Sequence, residues 1–212
     1  MLAHGRAVRH RDIIAAGFPA AILSRMVARG EIERVTTLEE VCVGYRIPSP
    51  ANEVNFVDQQ VAAIALRHPN GVFCLTSALR LHDLFDDRVA DFTIALPPNR
   101  NRSVRVPNLK TLTWSDPVMM TTGIETREVD GTIVKVTDPA RTVVDLFRPM
   151  HKVTDEVAFG ALEELVVRRG GGLEEIARIE CYAEKLGQLG NVKQQTTMLR
   201  RTMPWLGQTR QP

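Results

Sequence analysis

The stretch Phe18-Pro19-Ala20-Ala21-Ile22-Leu23-Ser24-Arg25-Met26-Val27-Ala28-Arg29-Gly30 decides how this chain is read. Pro19 suits the first turn of a helix, where its missing N–H is no loss, and Gly30 suits the end of one. Between them Ile22, Leu23, Met26 and Val27 recur at i, i+1, i+4 and i+5, which makes one apolar face. Ser24, Arg25, Ala28 and Arg29 are predicted to look outward. Upstream, Val8 to Ala16 reads as a short helix closed by Gly17. Downstream, Ile32 to Val35 and Val41 to Ile47 read as two short strands, and Pro48 with Pro50 as a linker. Helix, turn, helix, hairpin is the outline of a winged helix-turn-helix.

A recognition helix needs an apolar face for its own domain and a polar, cationic face for the DNA groove. On this reading Ser24, Arg25, Ala20 and Ala21 are placed to meet base edges, and Ala28 and Arg29 lie beside them along the groove. Arg9 and Arg11 on the preceding helix, with Arg34 and Arg46 on the wing strands, are candidates to hold phosphates. The alternative is a winged helix used for protein contact, its arginines forming a solvated face.

Beyond the linker, helices are predicted over Val57 to Arg67 and from a Thr76 cap through Leu84. Strands follow at Asp91 to Leu96, Val104 to Val106, Leu109 to Trp114, Ile124 to Val129 and Thr132 to Val136, with Asp130-Gly131 as a hairpin turn. Asp138-Pro139 starts a helix to about Phe147. Helices from Thr154 to Val167, Leu173 to Leu186 and Val192 to Thr202 make the tail. The expected fold class is therefore α+β: a winged helix-turn-helix over 1–50, then a mixed α+β domain over 51–212 with a helical segment at about 152–202.

With 212 residues, 44% of them hydrophobic and 25% charged, the chain has ordinary globular usage, which excludes wholesale disorder and a collagen-like repeat. Its apolar runs, such as Val61 to Leu66, are too short to span a bilayer. Met1 to Arg11 has arginines but no apolar stretch, so a secretory signal is not expected and a cytoplasmic location is. Three well-separated cysteines, Cys42, Cys74 and Cys181, read as buried thiols, not as a disulfide framework.

Basic residues gather in islands. Met1 to Thr36 carries six arginines against three acids. Arg100, Arg102, Arg105 and Lys110 mark a second island, a candidate contact for nucleic acid or an acidic partner, and Lys193, Arg200, Arg201 and Arg210 a third. Arg141 and Asp145, four apart on one helix, are expected to pair as a structural element.

No P-loop, nucleophile elbow or H-E-x-x-H motif is present, so no cofactor, no metal and no enzyme activity are expected. His82-Asp83 with Asp86 and Asp87 reads as a helix end in preference to a metal cluster. The competing enzymatic reading is a metal-dependent nuclease or phosphodiesterase whose carboxylates, Asp83, Asp86, Asp87 and Asp91, converge only in the fold.

The order of several short motifs then becomes specific. The segments Arg11 to Gly17, Leu23 to Val35 and Gly44-Tyr45-Arg46, followed by Ser77-Ala78-Leu79-Arg80-Leu81-His82 and Thr137 to Phe147, resemble the AbiEi antitoxin family in the same order. The resemblance covers roughly Arg11 to Arg148. It implies a bacterial antitoxin of the type IV, abortive-infection class, with two partners. One is operator double-stranded DNA, bound by the winged helix so that the protein represses its own operon. The other is a nucleotidyltransferase toxin, which the C-terminal domain counters without necessarily forming a stable complex. This chain departs from that family by a longer wing, in which Thr36 to Cys42 adds Glu39 and Glu40.

Overall fold

In the computed structural model, which describes residues 6–48, 55–84, 91–98 and 108–203, the chain is a mixed α+β protein that ends in helices. Its contacts divide it into two compact units. The first comprises Met1–Gly71 with Thr126–Lys135, the second Val72–Glu125 with Val136–Pro212. The linker read at Pro48 and Pro50 is therefore not where the units part. The reason is the helix after it: Leu66 and Ala63 pack with Val35 of the N-terminal sheet and share its cluster with Ala7 and Val43.

The first unit opens with strand β1 (Val8–Arg9) and helix α1 (His10–Ala15), then α2 (Ala20–Ala28), β2 (Glu33–Thr36), β3 (Cys42–Arg46) and α3 (Phe56–Arg67). The helix predicted from Val8 thus starts two residues later. Val8 instead pairs antiparallel with Tyr45, so that β1, β3 and β2 form a three-stranded sheet with β3 in the middle. β2 and β3 pair antiparallel, with an irregularity between Val35 and Thr36 that starts the long turn. Ile13, Leu23, Ile32 and Tyr45 make its second cluster, at about 1.5–3 kcal/mol for each large side chain fully buried. Gly44 is required where it stands, because a Cβ there would meet the Val8 carbonyl oxygen at 2.6 Å.

The second unit is built around β4 (Val72–Phe73), β5 (Phe92–Leu96) and β6 (Leu109–Thr113). The hairpin of β7 (Ile124–Val129) and β8 (Thr132–Thr137) completes this sheet in the order β6-β5-β4-β8-β7, although residues 126–135 are grouped with the first unit. β4 and β5 pair antiparallel, β5 and β6 parallel. Asp130 and Gly131 both have positive φ, 45° and 68°, as a two-residue hairpin turn demands. Helices of the second unit are α4 (Thr76–Leu81), α5 (Pro117–Thr121), α6 (Pro139–Leu146), α7 (Asp155–Glu163), α8 (Gly172–Lys185) and α9 (Leu189–Thr202). α7 runs on into a π-helical turn, Glu164–Arg168, before the glycines.

Three local expectations are corrected. Thr76 is the first residue of α4 and not its cap; Leu75 precedes the helix at φ 52° with no side-chain cap. α5 has no counterpart among the expected helices; Asp116 caps it by accepting from the Val118 N–H at 2.8 Å. Of the cysteines, Cys74 alone is buried, Cys42 is half-buried and Cys181 exposed, all three free. The strand expected at Val104 to Val106 lies outside the described residues.

The core of the second unit is much the larger, joining Val72, Leu79, Val143, Leu162, Ile176 and Ile179 in one cluster. No helix of the described residues is long and apolar enough to cross a membrane.

Candidate nucleic-acid interface

Gly17, at φ 90°, lets the chain turn sharply between α1 and α2. The Phe18 N–H then donates to the Ile13 carbonyl at 3.3 Å. Pro19 occupies the extended position just before α2 and leaves that helix without a side-chain cap. Leu23, 1% exposed, anchors α2 to the first unit's core, with Met26 and Val27 packed partly against it. Ile22, expected on the same face, is exposed. A helix advances 100° per residue, so Leu23, Met26 and Val27 share a face that Ile22 only borders. A core this small has nothing to cover its edge.

The outward face is as expected. Ala20, Ala21, Ser24, Arg25, Ala28 and Arg29 are all exposed. Arg25 Nε donates to the Ala21 carbonyl of its own helix at 3.4 Å. The Arg29 guanidinium, its side chain 69% exposed, lies 3.5 Å from Glu31. A surface pair of this kind is worth about 0–1 kcal/mol and yields readily to a phosphate.

The four residues expected to hold phosphates separate into different groups. Arg11 is exposed, with Asp12 at 3.7 Å, and Arg34 is exposed on β2. Arg9 is half-buried and committed to Asp12 at 2.6 Å. Arg46 is withdrawn from the surface altogether: it is buried, its Nε pairs with Glu33 Oε1, and its Nη1 lies 2.5 Å from Asp130 Oδ1. Burial works against the Arg46 charge, but Asp130 and Glu33 outweigh it and hold the guanidinium above its ordinary range. Arg46 is thus an internal strut and not a phosphate ligand. Its β-strand position sets it opposite Glu33, a pairing that no local pattern of the sequence announces.

In the second unit Lys110 is exposed on β6, while Arg100, Arg102 and Arg105 lie outside the described residues. Arg141 and Asp145 do pair, at 2.9 Å, with both side chains fully buried. The pair belongs to a larger network. Arg141 Nη1 donates to the carbonyls of Met119 and Thr122 at 3.1 and 2.5 Å, and its guanidinium lies 4.7 Å from the Trp114 ring centre. Arg148 approaches the other Asp145 oxygen at 3.4 Å. Burial raises the Asp145 carboxyl against the pull of the two arginines. His151 is buried too; burial first, then Arg148, Lys110 and Arg141, push its pKa down to about 4. These groups join helices and strand ends inside one core.

Asp138 plays a related part. One oxygen caps α6 on the Arg141 N–H at 2.8 Å, and the other accepts from Arg178 at 3.1 Å and Tyr182 at 2.9 Å. His82 is buried, its Nε2 2.7 Å from the Thr137 carbonyl, whereas Asp83 and Asp91 are exposed. Asp86 and Asp87 lie outside the described residues, among which no three His, Cys, Asp or Glu side chains are grouped to hold a metal ion.

No protein-family model matches the chain. No curated protein matches it either. Among solved structures, the crystal structure of the RV2827C protein from Mycobacterium tuberculosis aligns with a TM-score of 0.41 at 12% identity, covering 90% of this chain and 75% of that one.

Proposed function

We propose that the chain is a non-enzymatic antitoxin and autoregulator of the AbiEi type, whose first unit is a winged helix that binds operator DNA through α2. One observation carries the reading: Arg25 on α2 and Arg29 at its C-cap stand exposed four residues apart, on a segment that Leu23 fastens to the core. Exposed guanidiniums on a short helix whose apolar side rests on its own domain are what a groove-reading surface requires. Arg11 and Arg34 supply further exposed cations in the same unit. The second unit, with its large core and buried ion network, is assigned to countering a nucleotidyltransferase toxin.

The test is binding of the full chain to its operator duplex, measured by fluorescence anisotropy across salt concentrations. Wild-type affinity should fall steeply as salt rises. Arg25→Ala with Arg29→Ala should cost about 1–3 kcal/mol for each base edge no longer held, and should flatten the salt slope. Affinity unchanged in the double variant would remove α2 from the interface. A parallel arm co-expresses the toxin; growth rescue by the double variant would separate the two activities.

A second reading has an observation of its own. Ile14, Phe18 and Ile22 are exposed at 39, 47 and 37% in the same segment as the arginines. Phosphate oxygens make no use of apolar surface, and a protein partner does. An interaction module of that kind predicts toxin rescue with no operator binding.

A further inference from the structure

The first unit contains a cleft of about 410 Å³ that the DNA-binding reading does not use. It opens between β2 with its following turn and the first turns of α3. On one side stands Arg46, buried and tied to both Glu33 and Asp130. Three charges that already hold one another make a stiff polar wall. On the other side α3 presents Gln59 and Gln60, the latter 6% exposed. Among the described residues neither glutamine side chain has a hydrogen-bond partner. At the opening Phe56, on the same helix, is 60% exposed.

This combination selects a particular ligand chemistry. A carboxamide offers a donor beside an acceptor, and a nucleobase edge with an acceptor beside a donor satisfies both atoms together, as glutamine does with adenine; pyrimidine edges can do the same, and a purine differs in offering the wider ring to stack. An exposed phenyl ring supplies the face on which a flat base stacks. A bare anion is not favoured: Glu33, Glu40 and Asp130 line the cleft against Arg34 and Arg46. The volume is that of a small-molecule site.

We propose that this cleft binds an adenine base, stacked on Phe56 and held at its edge by Gln59 and Gln60. The base has two possible sources, a free nucleoside or nucleotide and an unpaired adenine of a nucleic-acid strand. The assignment stands apart from operator binding, since it uses none of the α2 residues.

The experiment is NMR titration of the isotope-labelled full chain, following the side-chain amides of Gln59 and Gln60 and the ring of Phe56. The probes are adenosine, AMP, uridine, inorganic phosphate and a short single-stranded oligoadenylate. Adenosine and AMP should give saturable shifts at those three residues with similar affinity; uridine, with the smaller ring to stack on Phe56, should bind more weakly, and phosphate should leave them unmoved. Phe56→Ala, at an exposed position that tolerates truncation, should weaken binding about tenfold, and Phe56→Tyr should retain it. Saturable shifts with oligoadenylate alone, abolished in Phe56→Ala, would support the site and assign its source to a strand. Absence of shifts up to millimolar concentrations of every probe would overturn the proposal. So would binding that is indifferent to both Phe56→Ala and Gln60→Leu.

Discussion

Helices α2 and α6 are of similar length, each begins next to a proline and each carries arginine, yet their environments are opposite. α2 has no side-chain cap and one buried residue, Leu23. α6 is capped by Asp138 and buries every residue from Ala140 to Leu146, Arg141 included. The arginines differ accordingly: the side chain of Arg29, the C-cap of α2, is 69% exposed and the Arg141 side chain 0%. A helix in a small unit rests on one neighbouring cluster and keeps its charges in water. A helix enclosed by sheet and helices must neutralise whatever charge it carries. The same residue type thus faces solvent in one place and is an internal fastening in the other.

The sharpest way to break the comparison is to remove a partner on each helix. Asp145→Ala leaves Arg141 and Arg148 buried beside no carboxylate and should cost about 3–5 kcal/mol in urea unfolding. Acidification should act on the same core. His151 titrates near 4 in the fold against about 6.5 unfolded, so the neutral form is favoured by folding. Its contribution is full above pH ~6.5 and is lost as pH falls toward ~4. Unfolding midpoints between pH 7 and 4 should show this slope, and His151→Gln should reduce it.

Arg46→Met in the first unit should cost less, about 2 kcal/mol, because it takes the guanidinium from Asp130 while Glu33 reaches water. It should leave operator affinity per folded molecule nearly unchanged, unlike Arg25→Ala with Arg29→Ala. That double variant should shift stability least of all, within about 0.5 kcal/mol. A large loss of stability there would show that α2 is held by its arginines and would overturn the distinction.

Much of this organisation is legible locally. Asp138-Pro139 announces a capped helix and Asp130-Gly131 a tight hairpin, because each depends on the backbone preferences of two adjacent residues. Gly17 and Gly30 mark the ends of the candidate recognition segment for the same reason. The outward face of α2 follows from helical period. The exposure of Ile22 does not, because a period gives an apolar side without saying how much core exists to cover it.

What the sequence by itself determined was therefore the short-range part: several turns, the Asp138 cap, most helices, the β2–β3 and β7–β8 hairpins, and the outward polar face of α2. Only the tertiary structure decided that Val8 leaves its helix to pair with Tyr45, that α3 packs on the N-terminal sheet, and that Arg46 meets Asp130. It alone brought Arg148 and His151 to the Arg141–Asp145 pair that the helical spacing announces, and buried them together. The physical reason is range. Backbone propensity acts over a few neighbouring residues, whereas burial and charge pairing depend on which distant segments a closed chain brings within a few ångströms.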